Sequence, residues 1–266
     1  MRILLALMLF LAAVAAAAAP APSSFDRSHA SWNRLLGAHV AWNKAGTSSK
    51  VDYASFARDR KALGNYLHSA SSVGTVEFAR WPLAERQAFL INVYNAATVE
   101  LVLTRYPKLK SIKEIGGFLG SPWKQQVMSL LGRKRSLDDI EHVLLRGASD
   151  YAEPRIHFAV NCASVGCPAL RPEAYLGARL DAQLDDQTRR FLRDRTRNKL
   201  GGSNAALRVS KIFDWYSGDF DAHSGSVRSF LAGYPTELGL DAAAAKRLRD
   251  GRVRISFSDY DWNLNR

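Results

Sequence analysis

The sequence predicts an α+β fold: a helix-rich single domain with a small mixed or antiparallel sheet. Helical hydrophobic periodicity is more frequent along the chain than the alternating pattern of strands, and strand-like segments do not alternate regularly with helical ones. After residue 24 no repeat of fixed period and no low-complexity linker divides the chain. A length of 266 residues and a hydrophobic content of 47% exclude collagen-like and disordered classes.

The first twenty residues have the order of a secretory signal peptide. Arg2 supplies a positive charge, residues 3–14 form an apolar run, and residues 15–19 are small. Such a segment is removed from the mature protein, and this one has no stop-transfer flank. The sequence therefore predicts an exported protein, located in the bacterial periplasm or secreted after cleavage.

The remaining chain is interpreted as a flexible N-terminus over residues 21–27 and one α+β domain over residues 28–266. No stretch after the leader approaches the about 18 uncharged apolar residues that a membrane span requires. The clearest later break, residues 201–204, is explained by a hairpin turn because apolar patterning continues on both sides. The mature protein is expected to be soluble, with no transmembrane segment.

Helices are predicted where apolar residues recur at helical spacing or follow a capping residue. Ser28 is a suitable N-cap for a first helix that reaches about residue 40. Ser136 followed by Asp139 resembles a capping box, which would start the short helix that carries His142. The helix over residues 83–105 is apolar around nearly its whole circumference and is expected to be buried. The other predicted helices cover about residues 52–69, 172–197, 213–216 and 241–249.

Strands are predicted where apolar and polar residues alternate or where short β-prone runs flank a turn. Residues 155–161 alternate, with Ile156, Phe158 and Val160 on one face and His157 on the other, which is typical of a strand. The other predicted strands cover residues 127–131, 133–137, 207–210 and 253–257. Because helices outnumber these strands, α+β is favoured over a doubly wound parallel sheet.

Several familiar catalytic and cofactor motifs are missing from the sequence. It contains no dinucleotide-binding glycine pattern, no phosphate-binding Walker loop, no HExxH, no GxSxG and no CxxC. Dinucleotide binding, nucleotide hydrolysis, zincin chemistry and thioredoxin-like exchange therefore have no motif support. No cofactor is predicted.

Two amides lie together on the predicted buried helix. Asn92 and Asn95 are three residues apart, so they share a face in otherwise apolar surroundings. A buried amide without partners costs about 1–3 kcal/mol, so both must form hydrogen bonds. Two interpretations remain open: the amides clamp a neighbouring loop, or one of them orients a histidine or donates to a developing oxyanion.

The segment 155–168 places two thiols five residues apart in a loop. A Cys162–Cys167 disulfide is consistent with export and with an even cysteine count, and it would shape the loop locally. A catalytic thiolate would instead need His157 or His142 within hydrogen-bond reach as its base. Ligation of a metal by both cysteines and a histidine is the third alternative, but the spacing is wider than structural zinc usually shows, so no metal is assigned.

Three motifs, in this order along the chain, resemble the family called domain of unknown function 547. They occupy residues 86–96, 136–142 and 154–170, within a family core of about residues 78–195. The segments 213–216 and 260–265 also look like sequences found around that domain.

The resemblance marks motif residues but implies no activity, because the family name records none. The motif residues are Asn92, Asn95, Glu141, His142, Arg155, His157, Cys162 and Cys167. Side-chain chemistry alone assigns roles: the cysteines and histidines are candidate catalytic groups, while the two asparagines, Glu141 and Arg155 are candidate orienting or oxyanion groups.

The chain is strongly basic, with a net charge of +12. Lysines and arginines cluster around residues 108–113, 133–135, 189–199 and 246–254. Such a charge favours an anionic partner, here a cell-envelope polymer or a lipid surface, although the 181–199 run also looks like a solvated helix face. Nucleic acid is not predicted as a partner, because export argues against it and no recognised binding motif is present.

Two functions are predicted as alternatives. The first is thiol-dependent acyl transfer or amide or ester hydrolysis in a cleft that gathers the cysteine loop, a histidine and the asparagines. The second is a non-catalytic periplasmic module that binds a peptide or glycan and contains a structural Cys162–Cys167 disulfide. Both depend on whether the cysteine loop, an imidazole and the amide-bearing helix meet at one cleft.

Overall fold

The computed structural model describes residues 25–117, 120–147, 152–201 and 206–266. Helices dominate these ranges and the strands form small separate sheets, so the α+β prediction is confirmed. The predicted signal peptide, residues 21–24 of the predicted flexible N-terminus and most of the predicted turn at 201–204 lie outside the described residues.

The α-helices vary from one turn to the 21-residue α5. Their bounds are α1 Ala30–His39, α2 Tyr53–Arg58, α3 Arg60–Ser71, α4 Thr75–Ala79, α5 Leu83–Leu103, α6 Leu180–Arg193, α7 Ile212–Trp215, α8 Ser217–Ser224, α9 Val227–Ala232, α10 Pro235–Leu238 and α11 Ala242–Arg249. Short 3₁₀ helices cover Ile112–Gly116, Pro122–Lys124, Pro154–Phe158 and Gly177–Arg179, and a π helix covers Asp139–Leu145.

Among the described residues the strands form two hairpins and one three-stranded sheet. The strands are β1 Val40–Trp42, β2 Ser49–Val51, β3 Gln126–Leu130, β4 Arg133–Ser136, β5 Lys199–Leu200, β6 Ala206–Val209 and β7 Arg254–Phe257. The pairs β1–β2, β3–β4 and β5–β6 are antiparallel, whereas β6 and β7 are parallel. The predicted small mixed sheet is therefore present as β5–β6–β7.

Two apolar clusters fill the interior, and they meet at the 3₁₀ helix Pro154–Phe158. Helix α5 is buried along most of its length in the first cluster, as predicted. The second cluster gathers phenylalanines from α6 to α9. Ile156 belongs to the first cluster and Phe158 to the second, so His157 is held in the seam between them.

The predicted strand over residues 155–161 is wrong, because its first part is this 3₁₀ helix. Pro154 presets the backbone of the first turn, and the Glu153 carboxylate accepts a hydrogen bond from the Arg155 backbone N–H at 3.0 Å. Alternating apolar residues then mark burial on two sides rather than one exposed face, since His157 is buried as well.

Other predicted boundaries shift where local hydrogen bonds interrupt a helix. Asp59 separates α2 from α3 within the predicted helix 52–69. The predicted helix 172–197 begins only at Leu180, after a loop and a 3₁₀ turn. Ser28 is not the N-cap of α1; Asp26 instead accepts the backbone N–H groups of Ser28 and Ala30, each at 2.9 Å.

The predicted capping interaction before the π helix is confirmed. The Asp139 carboxylate accepts from the Ser136 backbone N–H at 2.8 Å, and the Ser136 hydroxyl accepts from the Asp139 N–H at 3.1 Å. This reciprocal pair starts the helix that carries Glu141 and His142 and thereby orients both side chains.

Candidate functional site

A cavity of about 210 Å³ lies between the π helix, the cysteine loop (residues 162–168) and the C-terminal segment (residues 260–265). It is lined by Tyr94, Trp123, Asp138, Glu141, His142, His157, Val160, Cys162, Cys167, Pro168, Ile212, Trp215, Tyr216, Tyr260 and Trp262. The cavity therefore brings together both predicted cysteines, both predicted histidines and Glu141. Asn92, Asn95 and Arg155 are not among its lining residues.

Cys162 is the half-buried thiol of the loop, and Cys167 lies buried beside it. The Cys162 sulfur is 3.2 Å from the Ser164 hydroxyl and 3.2 Å from the Tyr260 hydroxyl. The backbone N–H of Cys162 donates to the Cys167 sulfur at 2.7 Å. Both residues are free thiols in the structure, so their pairing on oxidation stays a prediction.

The pKa values of the two thiols are shifted in opposite directions. Burial raises the pKa of Cys162, but hydrogen bonds to its sulfur outweigh burial and lower the pKa to about 7. The largest of these contributions comes from Cys167, followed by Ser164 and Tyr260. Burial raises the pKa of Cys167 well above its ordinary value, and the neighbouring Cys162 raises it further. Cys162 is therefore the thiol that ionises first.

A strained turn fixes the backbone next to Cys162. Ala163 has a φ of 63°, a left-handed conformation that costs an L-residue roughly 1–2 kcal/mol. Its N–H donates to the Asn161 side chain at 2.9 Å, and its carbonyl accepts from the Asn265 N–H at 3.2 Å. Buried contacts thus hold a conformation that the free chain would avoid, as is common at functional sites.

The C-terminal segment completes the loop. The backbone N–H groups of Val165 and Gly166 donate to the carbonyls of Asn263 and Asp261, each at 2.8 Å. A Cβ at Gly166 would lie 3.0 Å from the Tyr260 ring and from the Asp261 backbone nitrogen, so a larger residue would require these neighbours to shift by a few tenths of an ångström. The same segment supplies Tyr260 to the Cys162 sulfur.

His157 is held in one orientation by a carboxylate and an aromatic ring. Its Nε2 lies 2.7 Å from Oδ2 of Asp219, and its ring stacks on Tyr216 with a centroid distance of 3.8 Å. Because Asp219 is an acceptor, Nε2 carries the hydrogen, and Nδ1 has no hydrogen-bond partner among the described residues. Burial lowers the pKa of His157, so the ring is held neutral, with Nδ1 as its buried acceptor nitrogen.

Asp219 stays ionised because it pairs with two donors. The hydrogen bond from His157, and then that from Arg146, hold the pKa of Asp219 well below its ordinary value. Arg146 donates to both carboxylate oxygens, at 2.7 and 3.0 Å. The imidazole and its carboxylate partner therefore have the relation seen between histidine and acid in nucleophile–histidine–acid sites.

Glu141 and His142 face the cavity from the π helix. Glu141 is buried and accepts a hydrogen bond from the Tyr216 hydroxyl at 2.7 Å. The Nδ1 atom of His142 accepts from Arg146 at 2.9 Å, and its Nε2 lies 3.8 Å from Asp138. His142 thus has both ring nitrogens near other side chains, whereas His157 keeps Nδ1 unpaired.

Neither histidine forms a hydrogen bond with a cysteine sulfur among the described residues. Catalytic hydrogen bonds are often long or poorly aligned without substrate and shorten when it binds.

Comparison with protein families agrees with the motif pattern. Residues 78–192 match the family described as protein of unknown function, DUF547. This segment belongs to the family. No curated protein and no solved structure matches the chain.

All the predicted site residues lie inside the DUF547 segment, but several groups that complete the cavity lie after it. Tyr216 and Tyr260 were within sequences noted beside the motifs, so the resemblance offered a signal for them. Asp219 carried no such signal, because nothing in its local sequence distinguishes it from a surface charge; its partners His157 and Arg146 are 62 and 73 residues away.

Within the DUF547 segment, the two asparagines clamp backbone rather than face the cavity. Asn92 donates to the Tyr175 carbonyl at 2.7 Å and accepts from the Tyr175 N–H at 3.0 Å. Asn95 donates to the Ala159 carbonyl at 3.0 Å and accepts from the Asn161 N–H at 2.8 Å. Asn95 thereby supports the cysteine loop through Asn161.

We expect Asn92→Ala to lower the free energy of unfolding by about 2–4 kcal/mol, because both backbone groups of Tyr175 would stay buried without partners. Urea unfolding measures the change. Asn43→Ala is the matched control, because that amide also bonds backbone but in a half-buried turn, and we expect it to cost about 1 kcal/mol or less. A folded, equally stable Asn92→Ala protein with altered Cys162 reactivity would contradict the clamp interpretation.

Arg155 is placed away from the cavity. It forms a bidentate ion pair with Glu153 and contacts Asp181 at 2.8 Å. These contacts hold the first turn of the 3₁₀ helix that carries His157, so Arg155 acts on the cavity only through the backbone.

A second cavity, of about 680 Å³, adjoins the same loop and shares Cys167 and Pro168 with the first. Its described lining contains one acid, Asp194, and six cationic residues, which are Lys50, Arg193, Arg195, Arg197, Lys199 and Arg266. The loop therefore separates two cavities of different charge.

Two kinds of feature are absent from the described part of the chain: a membrane-spanning helix and a metal-holding cluster. No helix there has the length and apolarity to cross a membrane. No cluster of three or more histidine, cysteine or acidic side chains there is arranged to hold a metal ion.

Proposed function

We propose that the aromatic-lined cavity is the active site of a thiol-dependent enzyme that transfers acyl groups or hydrolyses amides or esters. The observation that carries the proposal is the position of Cys162. Its sulfur has the lowered pKa and lines a cavity that also contains an imidazole with an unpaired nitrogen and a fixed carboxylate partner. A thiolate and an oriented base are the two groups that this chemistry needs.

In the proposed reaction the Cys162 thiol gives its proton to Nδ1 of His157, and the sulfur bonds to the carbonyl carbon. The amine or alcohol then leaves, taking that proton, and a thioester remains on Cys162. A water molecule attacks the thioester while His157 accepts its proton; the carbon–sulfur bond breaks and the proton returns to the thiol. Asp219 stabilises the imidazolium formed in each half-reaction.

The proposed export of the protein rests on the signal-like order of residues 1–20. A non-catalytic peptide- or glycan-binding module is the second candidate, and one observation favours it: no sulfur–histidine hydrogen bond exists among the described residues. An oxidised Cys162–Cys167 pair in the native protein would support that second function.

The reactivity of the two thiols tests the proposal. We expect iodoacetamide to alkylate Cys162 in the native, reduced protein with a rate that rises with pH and is half-maximal near pH 7, while Cys167 stays unmodified. We also expect p-nitrophenyl acetate to leave one acetyl group on Cys162, detected by intact-protein and peptide mass spectrometry.

Cys162→Ala is the negative control, and Cys167→Ala is the matched cysteine variant. The first should not be acetylated. The second should still be acetylated but with its pH midpoint moved upward, because the largest hydrogen bond that lowers the Cys162 pKa is lost. Absence of any acetyl group on the native protein, or acetylation that persists in Cys162→Ala, would overturn the proposal.

A further inference from the structure

We propose that the substrate of this cavity carries a positively charged nitrogen, held between the Asp138 carboxylate and the aromatic residues of the cavity mouth. This inference rests on the proposed function for the reaction but concerns binding, which does not need the thiol. The substrate would then be an acyl compound with a cationic group in its acyl or leaving part.

The charge of the cavity is opposite to that of the chain. The protein has a net charge of +12, yet the described lining contains the carboxyl groups of Asp138 and Glu141 and no lysine or arginine. Three cations of the described ranges lie nearby: the Arg146 guanidinium is paired with Asp219, the Lys113 ammonium contacts Trp262, and Lys124 is close enough to lower the pKa of Asp138. A cation would therefore meet a favourable local field here despite the overall positive charge.

Asp138 has the geometry of an open acceptor. Its side chain is 31% exposed, and its closest polar partner among the described residues is Nε2 of His142 at 3.8 Å, which exceeds hydrogen-bond distance. Glu141 uses one oxygen to accept from Tyr216, while the other accepts no hydrogen bond within the described ranges. Both acids retain acceptor capacity toward the cavity.

Four aromatic rings form a continuous group at the cavity mouth. Trp262 lies 5.6 Å from Trp123, 5.8 Å from Trp215 and 4.5 Å from Tyr260, measured between ring centroids. Trp215 is 45% exposed, and its ring centroid lies 4.8 Å from that of Tyr260. Faces of tryptophan and tyrosine attract cations.

One ammonium ion of the chain already contacts these aromatic rings. The Lys113 Nζ atom lies 4.8 Å from the centroid of Trp262. This contact places an ammonium ion at cation–π distance from the Trp262 ring. A substrate cation would have the same kind of contact and, in addition, the carboxylates.

The charge of the second cavity is opposite to that of the first. Its six cationic lining residues would repel the same ligand, although it borders the same loop. A cationic group is therefore directed to the side of the loop where Cys162 lies. This difference is local, because both cavities belong to one positively charged protein.

Choline and 3,3-dimethylbutan-1-ol test the inference, because they have the same shape and differ in the charge of one atom. The two compounds are titrated into wild-type and Cys162→Ala protein while tryptophan fluorescence is followed. We expect choline to bind about tenfold more tightly than the neutral alcohol in both proteins. Asp138→Asn should remove most of this preference, whereas Asp181→Asn, at an exposed acid outside the cavity, should leave it unchanged.

Equal binding of the two compounds, or a preference unaffected by Asp138→Asn, would overturn the inference. Trp262→Leu supplies a second readout and should weaken choline binding. The result is independent of catalysis: choline preference without acetylation of Cys162 would refute the proposed enzyme alone, and acetylation without choline preference would refute the cationic substrate alone.

Discussion

Asp219→Asn is expected to slow acetylation of Cys162 by about 10²–10⁴-fold, the range associated with loss of a positioned general base. The asparagine amide would donate to Nε2 of His157, so the ring would carry its hydrogen on Nδ1. That nitrogen could then no longer accept the thiol proton. Asp219 is a positioning residue, since it acts through His157.

Alkylation separates this effect from a loss of folding. The pKa of Cys162 is lowered chiefly by Cys167, Ser164 and Tyr260, and Asp219 is not among its main causes. The iodoacetamide rate and its pH midpoint should therefore be unchanged in Asp219→Asn, while acetylation falls. Acetylation is measured by mass spectrometry at matched times for both proteins.

Asp181→Asn serves as the matched control, because it removes the same charge from an exposed partner of Arg155. We expect its acetylation rate to equal that of the wild type. If Asp219→Asn acetylates normally, or if its alkylation falls in parallel, His157 is not the base that Asp219 orients.

Arg197→Met is expected to lower the free energy of unfolding by about 3–5 kcal/mol, which makes it the largest stability effect among these variants. The Arg197 guanidinium is buried and forms an ion pair with Asp194. It also donates to the backbone carbonyls of Val165, Gly166 and Cys167. Removing it would leave a buried carboxylate and several loop carbonyls without these donors.

Urea unfolding measures this loss, and Arg208→Met is the control. Arg208 is paired with Asp259 at 3.6 Å, and both side chains are exposed, so the same substitution should cost less than about 1 kcal/mol. Release of the loop should also expose Cys167 to iodoacetamide in Arg197→Met. Equal stability of the two variants would show that the cysteine loop is held by its other contacts.

The sequence was sufficient to predict most helices because their periodicity and caps are local. The buried helix α5, the β3–β4 hairpin and the Ser136–Asp139 cap are all confirmed. The strand expected at residues 155–161 failed because alternation reports burial, and the seam between two apolar clusters buries both faces of a 3₁₀ helix in the same pattern.

Only some of the residues that form the site could be predicted from the sequence. Cys162, His157 and Glu141 stood out because thiols, imidazoles and buried acids are chemically distinctive within a motif. Asp219 and Tyr260 come from segments 62 and 98 residues away from their partners, and no local pattern records that pairing.

By itself, the sequence determined the fold class, the match of residues 78–192 to the DUF547 family and the identity of the candidate site residues. The tertiary structure alone decided which cysteine is acidic, which histidine keeps a free nitrogen, and that Asn92 and Asn95 clamp backbone. The physical reason is that pKa and tautomer depend on burial and on hydrogen-bond partners that folding brings from distant segments.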